Sequence, residues 1–441
     1  MVESVVFLRQ IHFRQTPDFW TNSAKCWKIE RMMISDQRTR HTLHRLGNLT
    51  TAARNDAWSR VKNAEALKQQ AIHARDRVLA DLPAYLARLE TATRAHDVAV
   101  LHAGDAQEAN RLVIQTMRGL GVTDALRNHH PLLDEIQLDR AAKANAIQLT
   151  PLHPGDYLAQ LADERPGHPI WPVGHLTVEA ISATLQQKWR IPETYNPDHL
   201  TSTVRMPLRR ALLRTHTAIL GVTFAAVEEG VFVLLDNDGH NASLTSLARH
   251  VILLLSIEQI AADIDDLDAL IQVFALSAWG RPLPAYVTHL QRPAPREIDG
   301  PRTIHLILVD NRRTKIIEEG FGQALRCIQC GACHSVCPVY QQIGGRGYAN
   351  SPYTGPIGAV INPLLLRPDL GEAQAALCAG SGGCQDACPV AIPIPDLIHA
   401  QRIRLAQTHP PNDDKRYFSV WRRLISRPRF FRSYIRRSYR K

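Results

Sequence analysis

The sequence predicts an α/β protein with helices at its N-terminus and a cysteine-rich module near its C-terminus. Short apolar runs alternate with helical patterns between residues 97 and 312, which is typical of a largely parallel sheet covered by helices. Apolar residues recur at helical spacing between 36 and 96. After about residue 320, cysteine, glycine and proline become frequent and regular periodicity fades, as expected where metal replaces a large hydrophobic core.

Composition favours a soluble globular protein with two or three domains. The chain has 441 residues, of which 45% are hydrophobic and 21% are charged, a balance that suits a substantial core. No apolar run reaches the ~18–20 residues that a membrane span needs. The first residues lack the sustained apolar core of a secretory signal. We therefore expect a cytoplasmic location.

The positive charge of the chain is concentrated at its C-terminus. The formal net charge is +10, yet residues 415–441 hold eleven Lys or Arg and no Asp or Glu. The remainder has 41 basic and 42 acidic residues, so a uniformly basic surface for nucleic acid is not indicated. The tail, residues 406–441, interleaves Arg with aromatic residues. We expect it to dock onto a partner subunit or onto an anionic membrane surface, which would place the protein at the inner face of the membrane.

The N-terminal part divides into an irregular extension and a helical segment. Residues 1–35 show no clear period. Residues 36–96 carry apolar side chains at intervals of three or four, which predicts two or three helices. These apolar positions are Ala64, Leu67, Ala71, Ala74, Val78, Leu82 and Leu86.

The α/β segment is predicted from apolar runs of strand length. These runs occupy 98–103, 146–151, 168–173, 218–227, 231–236 and 305–310. Glu228 lies at the turn between two of the runs. Two interpretations compete for it: a carboxylate that lines a pocket at the strand ends, or a solvated turn residue.

Seven of the eight cysteines lie between positions 327 and 388, and Cys26 stands alone. Clustered cysteines in a large chain without an export signal favour metal over disulfides. The first group has the spacing C-x2-C-x2-C-x3-C-P of bacterial ferredoxins and consists of Cys327, Cys330, Cys333 and Cys337. In that arrangement three thiolates hold one cluster and the fourth serves another. Zinc ribbons use longer spacers between their pairs, so iron–sulfur clusters are favoured.

The second group ends in the same C-x3-C-P and consists of Cys378, Cys384 and Cys388. By the ferredoxin crossover, Cys388 joins Cys327, Cys330 and Cys333 at the first cluster, and Cys337, Cys378 and Cys384 hold the second. The second site thus has three cysteines. Ser381 supplies the fourth ligand, or water or an external ligand does, or the site holds a 3Fe–4S cluster. We expect two clusters: 4Fe–4S at the first site and either type at the second.

Several segments carry a resemblance to a known family. Within the cysteine-rich module they are RCIQCGACHSVCPVYQQIGG, GPIGAVINPLL and CPVAIPIPDLI. Upstream they are GDYLAQLADERPGHPIWPVGH, GVTFAAVEEGVFVLLDNDGHN and DGPRTIHLILVDNRR. Together they resemble the iron–sulfur B component of the bacterial lactate-utilisation system, from about residue 36 to the end.

The resemblance implies both a fold and a role. Residues 97–312 would form a lactate-utilisation (LUD) domain, related in fold to sugar isomerases and CoA-transferase-like proteins, and 313–405 a helical ferredoxin-type two-cluster module. The chain would act with two partner subunits in oxidising L-lactate to pyruvate, and would pass the electrons to an acceptor that the sequence does not identify. The chain departs from the family at RNHHPLLDEI, residues 127–136, where a Lys/Ser-rich loop is expected.

The residues themselves indicate a subunit rather than a self-sufficient enzyme, because no flavin motif, catalytic dyad or hydride site is visible. Two alternatives stay open. One is an electron-transfer subunit for another 2-hydroxy acid such as glycolate. The other is a non-catalytic iron–sulfur redox sensor that acts through the basic tail, which would show salt-dependent nucleic-acid binding.

Overall fold

The computed structural model describes residues 36–294, 296–348, 351–366, 373–408, 419, 421–423, 426–428 and 431–432. The expectations for the extension 1–35, for Cys26 and for most of the tail 406–441 lie outside these residues. The chain divides into two compact units, one formed by Ser35–Gln401 and one formed by Met1–Ile34 with Arg402–Lys441. The fold described below is that of the first unit.

The predicted N-terminal helices are present. They are α1 (Gln37–Ser59), α2 (Ala64–Ala80) and α3 (Leu82–Ala95). Helix α1 begins where the Asp36 carboxylate accepts the backbone N–H groups of Arg38 and Thr39, at 2.9 and 3.1 Å, which satisfies two donors that a helix start leaves free.

A parallel sheet forms the centre of the α/β domain, as predicted. Its strands are β1 (Ala99–Ala103), β2 (Asp124–Arg127), β3 (Gln148–Pro151), β4 (Thr217–Gly221), β7 (His250–Ser256) and β10 (Thr303–Val309). Their order is β1-β10-β7-β4-β2-β3, with every pairing parallel. Successive side chains of β7 belong to hydrophobic cores on opposite faces of the sheet. Leu253 packs on one face, and Ile252 and Leu254 pack on the other. Burial on both faces explains why these strands read as continuous apolar runs.

Helices connect the parallel strands and flank the sheet. They are α4 (Ala106–Gly119), α5 (Pro131–Glu135), α6 (Leu138–Ala144), α7 (Pro154–Leu161), α8 (Val178–Trp189), α9 (Pro197–Arg214), α10 (His240–Leu247) and α11 (Ile264–Trp279). The short helix α5 starts at a proline directly after β2. This start places the segment 127–136 at the carboxyl edge of the sheet.

A second, smaller sheet was not predicted. It consists of β5 (Phe224–Ala226), β6 (Val231–Asp236), β8 (Ile260–Ala261) and β9 (Tyr286–Leu290), in the order β8-β5-β6-β9. The run 218–227 is therefore not one strand, because β4 ends at Gly221 and the chain crosses to the second sheet at Phe224.

The predicted strand at 168–173 was wrong, since these residues form a loop. Pro169 and Pro172 remove two backbone donors that a strand ladder would need. The His168 ring instead accepts the backbone N–H groups of Ile170 and Trp171, at 3.1 and 3.2 Å, and these bonds hold the loop in a tight turn.

The cysteine-rich module consists of short helices joined by glycine-rich loops. The helices are α12 (Arg313–Glu318), α13 (Ala332–Val336), α14 (Tyr340–Ile343), α15 (Gly355–Leu365), α16 (Gly383–Asp386) and α17 (Ile394–Thr408), with 3-10 turns at Gly322–Arg326 and Gly345–Tyr348. In the part of the chain described here, no helix has the length and hydrophobicity of a membrane span. The domain boundaries 36–96, 97–312 and 313–405 stay as proposals.

Candidate metal centre

The first cysteine group forms a tight loop that leads into helix α13. Gln329 and Gly331 both adopt positive φ, +60° and +74°, and this bends the backbone around the cysteine side chains. A Cβ atom at position 331 would lie 2.5 Å from the ring of His168. The loop therefore requires glycine there, both for its conformation and for its contact with the 168–173 loop.

Cys327, Cys330, Cys333 and Cys388 line one cavity of about 50 Å³. Three of them come from the first cysteine group and Cys388 comes from the second. The backbone N–H of Gln329 donates to the Cys327 sulfur and that of Ile392 to the Cys388 sulfur, both at 3.4 Å. These bonds fit the cavity to an iron–sulfur cluster, because N–H donors stabilise the negative charge of a ligated cluster.

Burial changes the protonation of these thiols. It raises the pKa of Cys330 to about 12 and raises the pKa of Cys333 well above its usual value. The thiols are therefore neutral until a metal supplies compensating positive charge. Ligation requires thiolates, so loading the site releases protons.

Cys337, Cys378 and Cys384 line a second, smaller cavity of about 20 Å³, and Ser381 lines it with them. Backbone N–H groups donate to the sulfurs of Cys337 and Cys378, each at 3.4 Å. Gly380 and Gly382 flank Ser381 and have positive φ, so the loop curves around this cavity. Ser381 itself is exposed, and this second site is thus open to solvent on the serine side.

The cysteines surround cavities rather than a single point. Within the described ranges, no three His, Cys, Asp or Glu side chains are grouped closely enough to hold one metal ion. A four-iron cube requires a wider spacing of its ligands than one ion does.

Two buried arginines lie beside the first cavity and were missed by sequence reasoning. Arg75 is fully buried and donates to the carbonyl oxygens of Ile260 and Leu325, at 3.2 and 2.6 Å. Arg54 donates to the carbonyl oxygen of Ala332 at 3.3 Å. Burial lowers the pKa of Arg75 to about 10, so it remains charged at neutral pH. Each guanidinium interacts electrostatically with cysteines of the first cavity.

A carboxylate of the α/β domain connects it to the cysteine-rich module. Glu135 is buried and accepts two bonds from Arg313, both at 2.8 Å. It also accepts from Asn311 at 2.6 Å and from the hydroxyl of Tyr353. Tyr353 lines the first cysteine cavity. The connection therefore extends from the segment 127–136 to the cluster site.

Glu228, the carboxylate weighed in the sequence, lies away from the cysteines, whereas two buried histidines, His175 and His168, have partners within the fold. Glu228 is half-exposed, pairs with Arg88 at 2.8 Å, and lines neither the two cysteine cavities nor the cavity at the carboxyl ends of the parallel strands. Its position therefore gives a pocket role no support. His175 is buried and lies 3.0 Å from Glu164. His168 lines the first cavity, with its ring centroid 4.8 Å from that of His334.

Comparison with known proteins identifies both parts of the chain. Residues 86–309 match the family model "LUD domain", and residues 323–392 match "4Fe-4S dicluster domain". The C-terminal region is therefore an iron–sulfur region of the 4Fe–4S dicluster type.

Curated relatives cover most of the chain. "Lactate utilization protein B" of Macrococcus caseolyticus is 34% identical over 77% of this chain and 72% of its own length. "Uncharacterized electron transport protein YkgF" of Escherichia coli is 32% identical over 86% of this chain and 79% of its own length. A solved DUF162 family protein from Deinococcus radiodurans matches 52% of this chain and 98% of its own, at 15% identity and a TM-score of 0.30.

Proposed function

The chain belongs to the LUD-domain, 4Fe–4S family of lactate utilization protein B, and from this premise we propose that it is the electron-transfer subunit of an L-lactate-oxidising complex. The family membership implies electron transfer in lactate utilisation. The observation that supports the specific role most strongly is that cysteines from both groups line one buried cavity. A chain built this way can hold clusters close together.

We propose Cys327, Cys330, Cys333 and Cys388 as ligands of the first cluster. Cys337, Cys378 and Cys384 are the proposed cysteine ligands of the second. The clusters supply one-electron carriers, whereas oxidation of a 2-hydroxy acid releases two electrons. Cys333 and Cys337, which belong to different proposed sites, are only four residues apart in the sequence. This proximity supports a relay between the two sites.

The proposed relay needs partners on both sides. No Ser, Cys or His dyad, hydride site or flavin motif for lactate oxidation is evident in the sequence, so the oxidising centre is assigned to a partner. The family acts in lactate utilisation, and we propose two partner subunits, a cytoplasmic location, and docking of the tail 406–441 onto a partner or onto the membrane surface.

The experiment that tests this function is growth of the native host after deletion of the gene. We expect loss of growth on L-lactate with normal growth on pyruvate, and restoration by the wild-type gene but not by a Cys333→Ala variant. Normal growth on L-lactate together with loss of growth on glycolate would show that the chain serves glycolate oxidation instead. Affinity purification from lactate-grown cells should recover two further subunits.

The serine at the second cavity allows a test of the fourth ligand. If that position lacks a protein ligand, Ser381→Cys should add a thiolate and raise the iron content of the reconstituted chain from about seven to about eight per chain. The oxidised three-iron EPR signal should disappear with it. Ser381→Ala is the matched control: an unchanged spectrum in this variant would exclude the serine oxygen as a ligand.

Arg75 is expected to tune the first cluster, since a buried cation stabilises the more negative reduced state. Replacing it with Met should lower the reduction potential of that cluster by on the order of 60 mV, the one-electron equivalent of a tenfold change in an equilibrium constant. Anaerobic EPR titration measures this. The second cluster serves as the internal control, and an equal shift of both potentials would contradict a local electrostatic effect.

A further inference from the structure

A cavity of the α/β domain that is lined by four histidines has no part in cysteine ligation. It has a volume of about 250 Å³ and lies at the carboxyl ends of the parallel strands, the edge where α/β proteins bind ligands. His129 follows β2, His153 follows β3, and Asp238 and His240 follow β6. Such a volume approaches the ~300 Å³ at which small-molecule pockets begin.

This cavity shares a wall with the first cysteine cavity. Ile328 and Gln329, which lie between Cys327 and Cys330, line both cavities. Gln259 lines the histidine cavity and donates to the carbonyl oxygen of Cys327 at 2.8 Å. A molecule bound here would therefore lie against the loop that carries the first cluster's ligands.

The charges of the cavity disfavour a free carboxylate ligand. None of the residues that line it is Lys or Arg, whereas Asp236 and Asp238 both line it. Any positive charge on His129 is matched by Asp156, whose carboxylate lies 3.1 Å from the imidazole. A 2-hydroxy acid anion would be desolvated here without a cation to pair with, at a high free-energy cost.

The walls suit a planar ring with polar edges. Trp171, Phe274 and Trp279 line the cavity, and aromatic side chains stack favourably on other rings. The side chain of Asn241 is 5% exposed, and its Oδ1 atom has no hydrogen-bond partner among the described residues. Its Nδ2 donates to the carbonyl oxygen of Leu235 at 3.4 Å. The Oδ1 atom is therefore left as a buried acceptor without a donor, beside a cavity that Asn241 lines.

The histidines form a continuous polar side of the same cavity. The ring centroid of His153 lies 5.6 Å from that of His129 and 5.9 Å from that of His240. The Asp238 carboxylate lies 2.7 Å from His240 and 3.5 Å from His153. Burial lowers the pKa of His153 to about 4, so this ring is neutral and offers both a donor and an acceptor nitrogen.

We propose that this cavity binds an uncharged, planar redox ring of the flavin or quinone class. The ring stacks on the aromatic wall, donates the N–H of a flavin or the O–H of a hydroquinone to Asn241, and meets the histidines with its polar edge. The redox class of the ring rests on the proposed function, because it follows from the wall shared with the cluster loop. The planar shape and neutrality rest on the cavity alone.

Equilibrium dialysis of the full chain, with its clusters, tests the proposal. We expect one saturable site for riboflavin or, under anaerobic conditions, for menadiol, the hydroquinone of menadione, and weaker binding of the anionic analogues flavin mononucleotide and reduced anthraquinone-2-sulfonate. Preference for riboflavin points to a flavin carried by a partner, and preference for menadiol points to a free quinone. Millimolar L-lactate should displace neither.

Matched variants locate the site. Asn241→Leu and Trp171→Ala should each weaken binding by about tenfold, the loss of one hydrogen bond or one stacking contact. Tyr195→Ala, an exposed aromatic outside the cavity with 56% of its surface accessible, is the control. Unchanged iron content would show that each variant is folded. Absence of saturable binding, equal affinity in all variants, or displacement by L-lactate overturns the proposal.

The two proposals fail separately. A chain that binds no ring but is still needed for growth on L-lactate removes the ring site and leaves the electron-transfer role. A chain that binds the ring but is dispensable for that growth leaves the site and removes the role.

Discussion

Replacing Cys388 with Ala is expected to remove the 4Fe–4S cluster held by the first cysteine group, although Cys388 lies in the second. The structure brings Cys388 to the cavity lined by Cys327, Cys330 and Cys333. Removing one of four thiolates from a buried site leaves an iron without its protein ligand, since no other cysteine lines that cavity. Iron per reconstituted chain should fall by about one, if the three remaining thiolates keep a three-iron cluster, or by about four, if the whole cubane is lost.

Cys337→Ala is the matched variant, and it should affect the second cluster instead of the first. Cys337→Ala changes the first cysteine group but should deplete the second cluster, because Cys337 lines the cavity of Cys378 and Cys384. EPR spectra of the two variants should therefore show complementary residual signals. Cys26→Ala, the lone cysteine, serves as the control and should retain all the iron. If Cys388→Ala and Cys384→Ala gave the same residual spectrum, each group would hold its own cluster and the crossover would be wrong.

Spacing along the chain anticipated the cysteine groups because their geometry is local. The interval of three residues at Cys327, Cys330 and Cys333 fits a tight loop whatever surrounds it. The ferredoxin crossover assigns the cysteines to two sets. The same two sets line the two cavities of the structure. The fourth ligand of the second site has no such local pattern and stays open.

Strands were predictable where burial on both faces produced an apolar run, as at 98–103 and 305–310. The run 218–227 shows the limit of this reasoning. All of its residues except Thr223 are buried, so hydrophobicity does not reveal that the chain changes sheets after Gly221. The strand predicted at 168–173 was wrong for a different reason. Its apolar side chains are interrupted by prolines, which prevent the backbone hydrogen bonds of a sheet.

Arg75 illustrates what pattern reading overlooks. It falls in phase with Ala71, Ala74 and Val78 on the buried face of α2, yet a charged side chain is normally assigned to solvent. Its partners are backbone carbonyls 185 and 250 residues away in sequence. Only the tertiary fold supplies these partners, so the burial of Arg75 could not be predicted from its residue type. The phase of the helix was the one available signal.

Replacing Glu135 with Ala is expected to destabilise the protein by about 3–5 kcal/mol, the cost of breaking a buried ion pair by removing one partner. Arg313 would keep one carboxylate partner, Glu258 at 2.6 Å, and its bonds to the Asp310 carbonyl and the Tyr353 hydroxyl. Asn311 and Tyr353 would each lose an acceptor. Glu135→Gln should lie between the wild type and Glu135→Ala, because it keeps hydrogen-bonding atoms but removes the charge. Anaerobic thermal unfolding measures the loss.

The surface pair of Glu228 and Arg88 provides the control for this substitution. Both side chains are about half-exposed, so Glu228→Ala should change stability by less than about 1 kcal/mol. Glu135 also has a consequence that a surface carboxylate lacks: its partner Tyr353 lines the first cysteine cavity. Glu135→Ala should therefore lose iron from the first cluster faster than from the second under a chelator. Equal rates of loss would mean that Glu135 stabilises the α/β domain without supporting the cluster site.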